Sequence, residues 1–136
     1  MAGCPEEGFI RGAVAALNAG DVEGYLAGFS ADSLRWVSGL ETPLTLNDIR
    51  ANLNQMTAAF DRLRLDEDLL FGARCHVCAR WTLRGNHIGD YAGIPPTHRE
   101  VAVETCEVYA FVDATVSESW VYGDTNSLFD QLRKRP

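Results

Sequence analysis

The stretch Val116-Ser117-Glu118-Ser119-Trp120-Val121-Tyr122-Gly123-Asp124 alternates as a β-strand does. Side chains two apart on a strand share a face. Glu118, Trp120, Tyr122 and Asp124 therefore fall on one side, and Ser117, Ser119, Val121 and Gly123 on the other. A carboxylate that shares a face with Trp and Tyr is either a charge at a rim or a working acid in a cavity. The neighbouring strands decide between the two.

The nearest neighbour is upstream. Arg99–Val112 reads as a long strand, Asp113-Ala114 as a tight turn and Thr115–Tyr122 as the returning strand. The odd positions of the long strand are Val101, Val103, Thr105, Glu107, Tyr109 and Phe111, so Glu107 is the only charge in that row. If the row faces a cavity, Glu107 is desolvated there, which suits acid–base work. An edge glutamate paired with an arginine on the next strand is the plainer alternative.

Two more strands precede these. Arg62–Phe71 and Arg74–Arg84 both show a period of two, with Gly72-Ala73 expected as their turn. In the second, Val77, Ala79, Trp81 and Leu83 face one way, and His76, Cys78, Arg80, Thr82 and Arg84 the other. Further back the period is helical. Glu6–Ala19 places Phe9, Ile10, Ala13, Val14 and Leu17 on one stripe and ends at Asn18-Ala19-Gly20. Asp21 can cap a shorter helix through Val22, Tyr25, Leu26 and Phe29. Leu34–Ser38 is a short strand containing Trp36. Thr45-Leu46-Asn47-Asp48 resembles a capping box, with Asp in place of Glu or Gln, and opens a third helix over Leu46–Phe60. Asn126–Arg133 can form a terminal helix. Helices first and strands afterwards indicate α+β, a single domain over residues 1–136 with helices packed on one sheet.

Composition narrows the partners. A net charge of −7 argues against nucleic acid or anionic membrane, both of which reward a basic patch. The only basic cluster is Arg133-Lys134-Arg135. No apolar run approaches the ~20 residues of a membrane span, and Met1–Gly8, acidic and containing Pro5, does not resemble a signal peptide. Cys4, Cys75, Cys78 and Cys106 read as structural or free thiols. Cys75 and Cys78 fall on opposite faces of a strand, and His76 with Cys78 makes only two ligands, so no metal site is expected. The expected setting is a reducing cytoplasm.

The loop Gly85–His98 carries Asn86-His87-Ile88-Gly89 and Gly93-Ile94-Pro95-Pro96-Thr97. It resembles the T-H-x-G-x-[FL]-x-G-I-P-P-T-G loop of the SnoaL-like polyketide cyclases, with His98 where the family commonly has Gly. Asn18-Ala19-Gly20-Asp21, Arg80-Trp81-Thr82 and the E-x-W-x-x-x-D run from Glu118 to Asp124 are similar to that family's as well. Asp113-Ala114-Thr115 departs from its usual D-G-K turn. The resemblance covers roughly Phe9 to Leu132. It implies an NTF2-like cone, a curved antiparallel sheet with about three N-terminal helices around an apolar pocket, usually a homodimer or homotetramer.

The resemblance also implies chemistry: ring closure of a polyketide by intramolecular aldol condensation or a related step, without cofactor or metal. Asp124 would be the acid/base. Glu107 would be a second pocket acid, and His87 the loop histidine, a catalytic candidate that could equally serve its own loop backbone. Trp36, Tyr25, Tyr109 and Trp120 are candidates for stacking on the substrate. Dehydration, epoxide opening, cyclic-ether formation and plain ligand binding all occur on this fold, so fold does not fix chemistry.

Overall fold

The structure, a computed structural model, describes residues 6–133; Cys4, Lys134 and Arg135 lie outside them. Helix α1 (Glu6–Asn18) buries Ile10, Ala13, Val14 and Leu17, the stripe its spacing predicts. Gly20 follows at φ 83°, where glycine carries no Cβ penalty. Asn18, in the last turn of α1, clamps the backbone of Leu65 from both sides, donating to its carbonyl at 3.1 Å and accepting its N–H at 2.8 Å. Helix α2 (Val22–Leu26) starts at Asp21, whose carboxylate accepts the Gly24 N–H at 2.8 Å.

Strand β1 (Phe29–Val37) and the two-residue β2 (Leu44–Thr45) lead into α3 (Leu46–Ala59). The capping box that opens α3 closes in both directions, Asp48 N–H to Thr45 Oγ1 at 3.2 Å and Thr45 N–H to Asp48 Oδ2 at 3.0 Å. Those bonds hold the Asp48 carboxyl below its ordinary pKa. Strands β3 (Phe60–Ala73), β4 (His76–His87), β5 (Glu100–Val112) and β6 (Thr115–Gly123) follow, and α4 (Thr125–Arg133) ends the described chain.

The six strands form one sheet in the order β2-β1-β6-β5-β4-β3. It is mixed rather than purely antiparallel, because β1 lies parallel to β6. A parallel neighbour needs a long crossover, and here the crossover is the whole of β2, α3 and β3 to β5. Register breaks between Asp61 and Arg64, Glu67 and Leu69, and Ala110 and Phe111 bend the sheet.

The β3–β4 turn falls at Arg74-Cys75 rather than Gly72-Ala73. Gly72 stays in the strand because its N–H donates to Glu7 Oε2 at 3.1 Å, where a Cβ would meet Glu7 Cγ at 3.1 Å. Both hairpin turns are built from L-residues at positive φ: Arg74 and Cys75 at 55° and 56°, Asp113 and Ala114 at 50° and 63°.

The inner face carries two apolar clusters. One joins α1, α2 and α3 to the sheet through Ile10, Leu17, Tyr25, Ile49, Trp81 and Tyr109. The other packs Leu128 and Leu132 of α4 on Phe60, Leu63, Val101 and Val103. No described helix packs on the outer face. There one register row, Trp36, Trp120, Val108, Cys78 and Phe71, crosses five strands with apolar or sulfur side chains. No described helix is long and apolar enough to cross a membrane.

Candidate active site

A cavity of about 310 Å³ opens between the sheet and helices α3 and α4, lined by members of both clusters. Its walls are mainly aliphatic: Leu17, Ile49, Leu53, Met56, Leu65 and Val103 among others. The loop after β4 supplies another wall. Tyr91 and Ile94 bridge through paired backbone hydrogen bonds across a turn that needs Gly93 at φ 82°, and Tyr91 stacks on Phe129 of α4 at 5.9 Å.

Into this apolar space the strands deliver a few polar groups. Glu107 of β5 lines the cavity at 7% exposure, since the odd positions of β5 do face inward. Its Oε2 accepts a hydrogen bond from Tyr109 Oη. Tyr109 Oη meets Tyr25 Oη at 3.3 Å, and Tyr25 Oη accepts from Arg35 Nη2 at 2.8 Å. Arg35 Nε donates to Ser119 Oγ at 3.0 Å. These bonds have one consistent direction. Tyr109 spends its proton on Glu107, so Tyr25 donates to Tyr109, and Arg35, which can only donate, donates to Tyr25. From Arg35 through Tyr25 and Tyr109, every proton points towards Glu107.

Burial sets the charge states along it. It pushes the Tyr109 phenol well above its ordinary range, reinforced by the Glu107 carboxylate. Tyr25 rises as well, against the pull of Arg35. Burial opposes the Arg35 charge, but Tyr25, Glu107 and Tyr109 outweigh it and hold the guanidinium above its usual value. Both phenols are neutral and Arg35 is a fixed cation.

Asp124 also lines the cavity, but at its mouth and exposed. Its Oδ1 accepts the Asn126 N–H at 3.0 Å and its carbonyl accepts the Ser127 N–H at 3.0 Å, so it caps α4 while Oδ2 makes no hydrogen bond to any described residue. In register Glu107 opposes Val121. Three residues along the strand separate that position from Asp124, roughly 10 Å at ~3.3 Å per residue. The two carboxylates sit at different depths of one cavity and do not form a touching dyad.

The other candidates are placed elsewhere. His87 is fully buried outside the cavity lining, against Phe60 at 5.2 Å. Its Nδ1 accepts the Thr97 backbone N–H at 3.1 Å and pairs with Thr97 Oγ1 at 3.0 Å, which ties the ring to its own loop. Trp36 and Trp120 project from the outer face, opposite the cavity, and Trp36 Nε1 donates to Glu118 Oε2 at 2.8 Å. Of the four expected substrate contacts only Tyr25 lines the cavity; Tyr109 stands behind Glu107. Arg35, Tyr91, Met56 and Phe129 were not anticipated. No group of three or more His, Cys, Asp or Glu is gathered as metal ligands among the described residues.

The sequence pattern of the SnoaL-like polyketide cyclases matches residues 9–132. The chain belongs to that family. Solved structures agree in fold. AclR from Streptomyces galilaeus, named as a candidate hydroxylase, is 26% identical with a TM-score of 0.86, over 96% of this chain and 98% of that one. IdmH from Streptomyces antibioticus, named as a candidate polyketide cyclase, is 21% identical with a TM-score of 0.82, over 95% and 99%. TsrD from Streptomyces laurentii is 22% identical with a TM-score of 0.79, over 94% of each. Among curated proteins no relative matches by sequence. The matched residues include the loop at 86–97 and most of α4, and Tyr91, Leu128 and Phe129 from those segments line the cavity of this SnoaL-like chain.

Proposed function

We propose that this SnoaL-like chain is a cofactor-independent polyketide cyclase that closes a ring by intramolecular aldol condensation. The observation that carries the reading is Glu107: a buried carboxylate with one oxygen held by Tyr109, inside a cavity whose walls are otherwise mainly apolar. Glu107 takes a proton from a carbon flanked by carbonyls and returns it to the alkoxide formed on carbon–carbon closure. General acid–base catalysis of this kind contributes ~10²–10⁴-fold. The walls hold a floppy chain in its cyclising shape, which contributes through effective molarity. Asp124 is the second carboxylate, at the mouth, where its uncommitted Oδ2 positions the more polar end of the substrate or exchanges protons with water.

Two acids at different depths also suit dehydration or cyclic-ether formation, in which one protonates while the other accepts. In the same reading a second copy covers the apolar outer row, since isologous pairing removes a contiguous apolar patch from water.

Turnover of a synthetic aryl β-keto ester bearing a pendant ketone, with the product structure determined, tests the reaction. Glu107→Gln keeps the shape and the Tyr109 contact, and is expected to lower kcat by ~10²-fold or more with little change in ligand affinity. Asp124→Asn keeps the helix cap and isolates the charge at the mouth. Normal turnover by both variants would remove the carboxylates from the mechanism, and a carbon–oxygen ring in the product would replace aldol closure by the second reading.

A further inference from the structure

Arg35 is the feature of the cavity that ring closure by carboxylates does not use. It lines the cavity at 7% exposure, with its guanidinium carbon 5.6 Å from the Phe29 ring and 5.8 Å from the Tyr25 ring. Its hydrogen-bond partners are neutral hydroxyls, Ser119 and Tyr25. It makes no ion pair within 4.0 Å among the described residues. Removing a cation from water is unfavourable unless an anion compensates it closely. The nearest anion along the chain of hydrogen bonds is Glu107, two tyrosines away.

A guanidinium has five N–H donors in a planar fork. Two are engaged here, on Nε and Nη2, and Nη1 makes no hydrogen bond with any described residue. Because the chain runs from Arg35 to Glu107, neither tyrosine has a proton left for a ligand. The donors remaining on this wall are those of Arg35. Ser119 and Tyr25 also hold the plane of the fork, so it is oriented before anything enters.

We propose that Arg35 is the anchor for a negatively charged oxygen of the ligand, and that the cavity takes a ring-sized apolar body carrying one such oxygen, a carboxylate or the enolate of a 1,3-dicarbonyl. This deepens the cyclase reading and rests on it for the identity of the cavity as the active site. The oxygen would sit on Arg35 of β1 while the acidic carbon faces Glu107 of β5, so that cation and base grip opposite sides of one enolisable unit. Charge-assisted hydrogen bonds in a site with little water are the strong ones.

Equilibrium binding to the full chain tests this without turnover, so it stands or falls separately from the reaction. The probes are 2-naphthoate, its neutral methyl ester, and 2-acetyl-1-tetralone measured below and above its enol ionisation. The wild type is expected to bind naphthoate, or the ionised diketone, at least about tenfold more tightly than the neutral form. Preference for naphthoate marks a carboxylate anchor; preference confined to the ionised diketone marks an enolate anchor. Arg35→Met should erase the preference while leaving ester affinity within about twofold, and that retained affinity reports an intact cavity. Arg35→Lys, which keeps the charge but loses the fork, should retain part of it. Equal binding of charged and neutral probes by the wild type overturns the proposal. So does a preference that survives Arg35→Met.

Discussion

The two faces of the sheet are built from the same strands and use opposite logic. On the inner face, Glu107, Tyr109, Tyr25, Arg35 and Ser119 form one hydrogen-bonded chain under helices, surrounded by aliphatic side chains. On the outer face, Trp36, Trp120, Val108, Cys78 and Phe71 form an apolar row with no described helix above it, Trp36 at 37% and Phe71 at 50% exposure. A continuous polar chain lies inside while Trp36, Trp120 and Phe71 stay outside, although the interior also buries Trp81, Phe29 and Phe60. The buried chain is tolerated because its hydroxyls, Glu107 and Arg35 bond one another, since an unpaired buried polar group costs ~1–3 kcal/mol. A polar chain kept in a dry interior at that cost is characteristic of a site that works on a ligand.

A matched pair of charges separates the faces most sharply. Val77 of β4 is fully buried on the inner face, in register with Tyr109, whereas Val108 of β5 is half-buried in the outer row. Val77→Asp buries an unpaired carboxylate and should cost about 4 kcal/mol or more, enough to unfold most chains of this size. Val108→Asp should leave the thermal midpoint within a few degrees and act instead on self-association, read by sedimentation. Comparable destabilisation by the two would mean that the outer row is as enclosed as the core.

The next test is internal to the polar chain. Tyr109→Phe removes the donor to Glu107 and the acceptor of Tyr25 together, and should cost about 1–3 kcal/mol at neutral pH. It should also change the alkaline limb. The Tyr109 phenol is raised in the fold, so its contribution is intact below its unfolded value of about 10 and is lost as pH climbs through the folded value. Wild-type stability should therefore fall above about pH 10, and fall less steeply in the variant. Urea midpoints on either side of that pH measure the difference. Parallel slopes would detach Tyr109 from the alkaline transition.

The same contrast explains what the sequence could show. Alternation along β4 and β5 put Val77 with Trp81 and Val103 with Glu107 on shared faces, and in the structure both rows face inward. The first and third helices were legible from their stripes, and the α3 cap from Thr45 and Asp48. On β1 alternation grouped the residues correctly but could not say which group faced in. On β6 it also put Asp124 with Trp120, whereas Asp124, just past the strand's end at Gly123, lines the cavity and Trp120 does not. Taking Trp36 and Trp120 as cavity residues turned Arg35 and Ser119 outward, since a strand with Trp on one side and Arg on the other ordinarily buries the Trp. One signal was present: Ser33, Arg35 and Val37 share a face, as do Ser119 and Val121, and two serines beside an arginine suit a buried hydrogen-bonded cation better than a solvated edge. Parallel pairing of β1 with β6 joins residues more than 80 positions apart, and no local pattern encodes it.

The smallest effect tests what keeps the faces assigned. The Asp113-Ala114 hairpin sets β5 against β6, and a slip of one residue would exchange the two faces of one strand. A two-residue hairpin loop of the favoured twist needs positive φ at both positions. Asp tolerates that conformation, but Ala114 at φ 63° does so against its Cβ, at roughly 1–2 kcal/mol. Ala114→Gly removes the strain and gives back about 0.5–1 kcal/mol in unfolded-chain entropy. The net expectation is a gain of up to about 1 kcal/mol in urea unfolding, with binding of the neutral naphthoate ester unchanged. A loss of stability would mean that Ala114 makes a contact worth more than its strain, and that the register is held by packing and not by the turn.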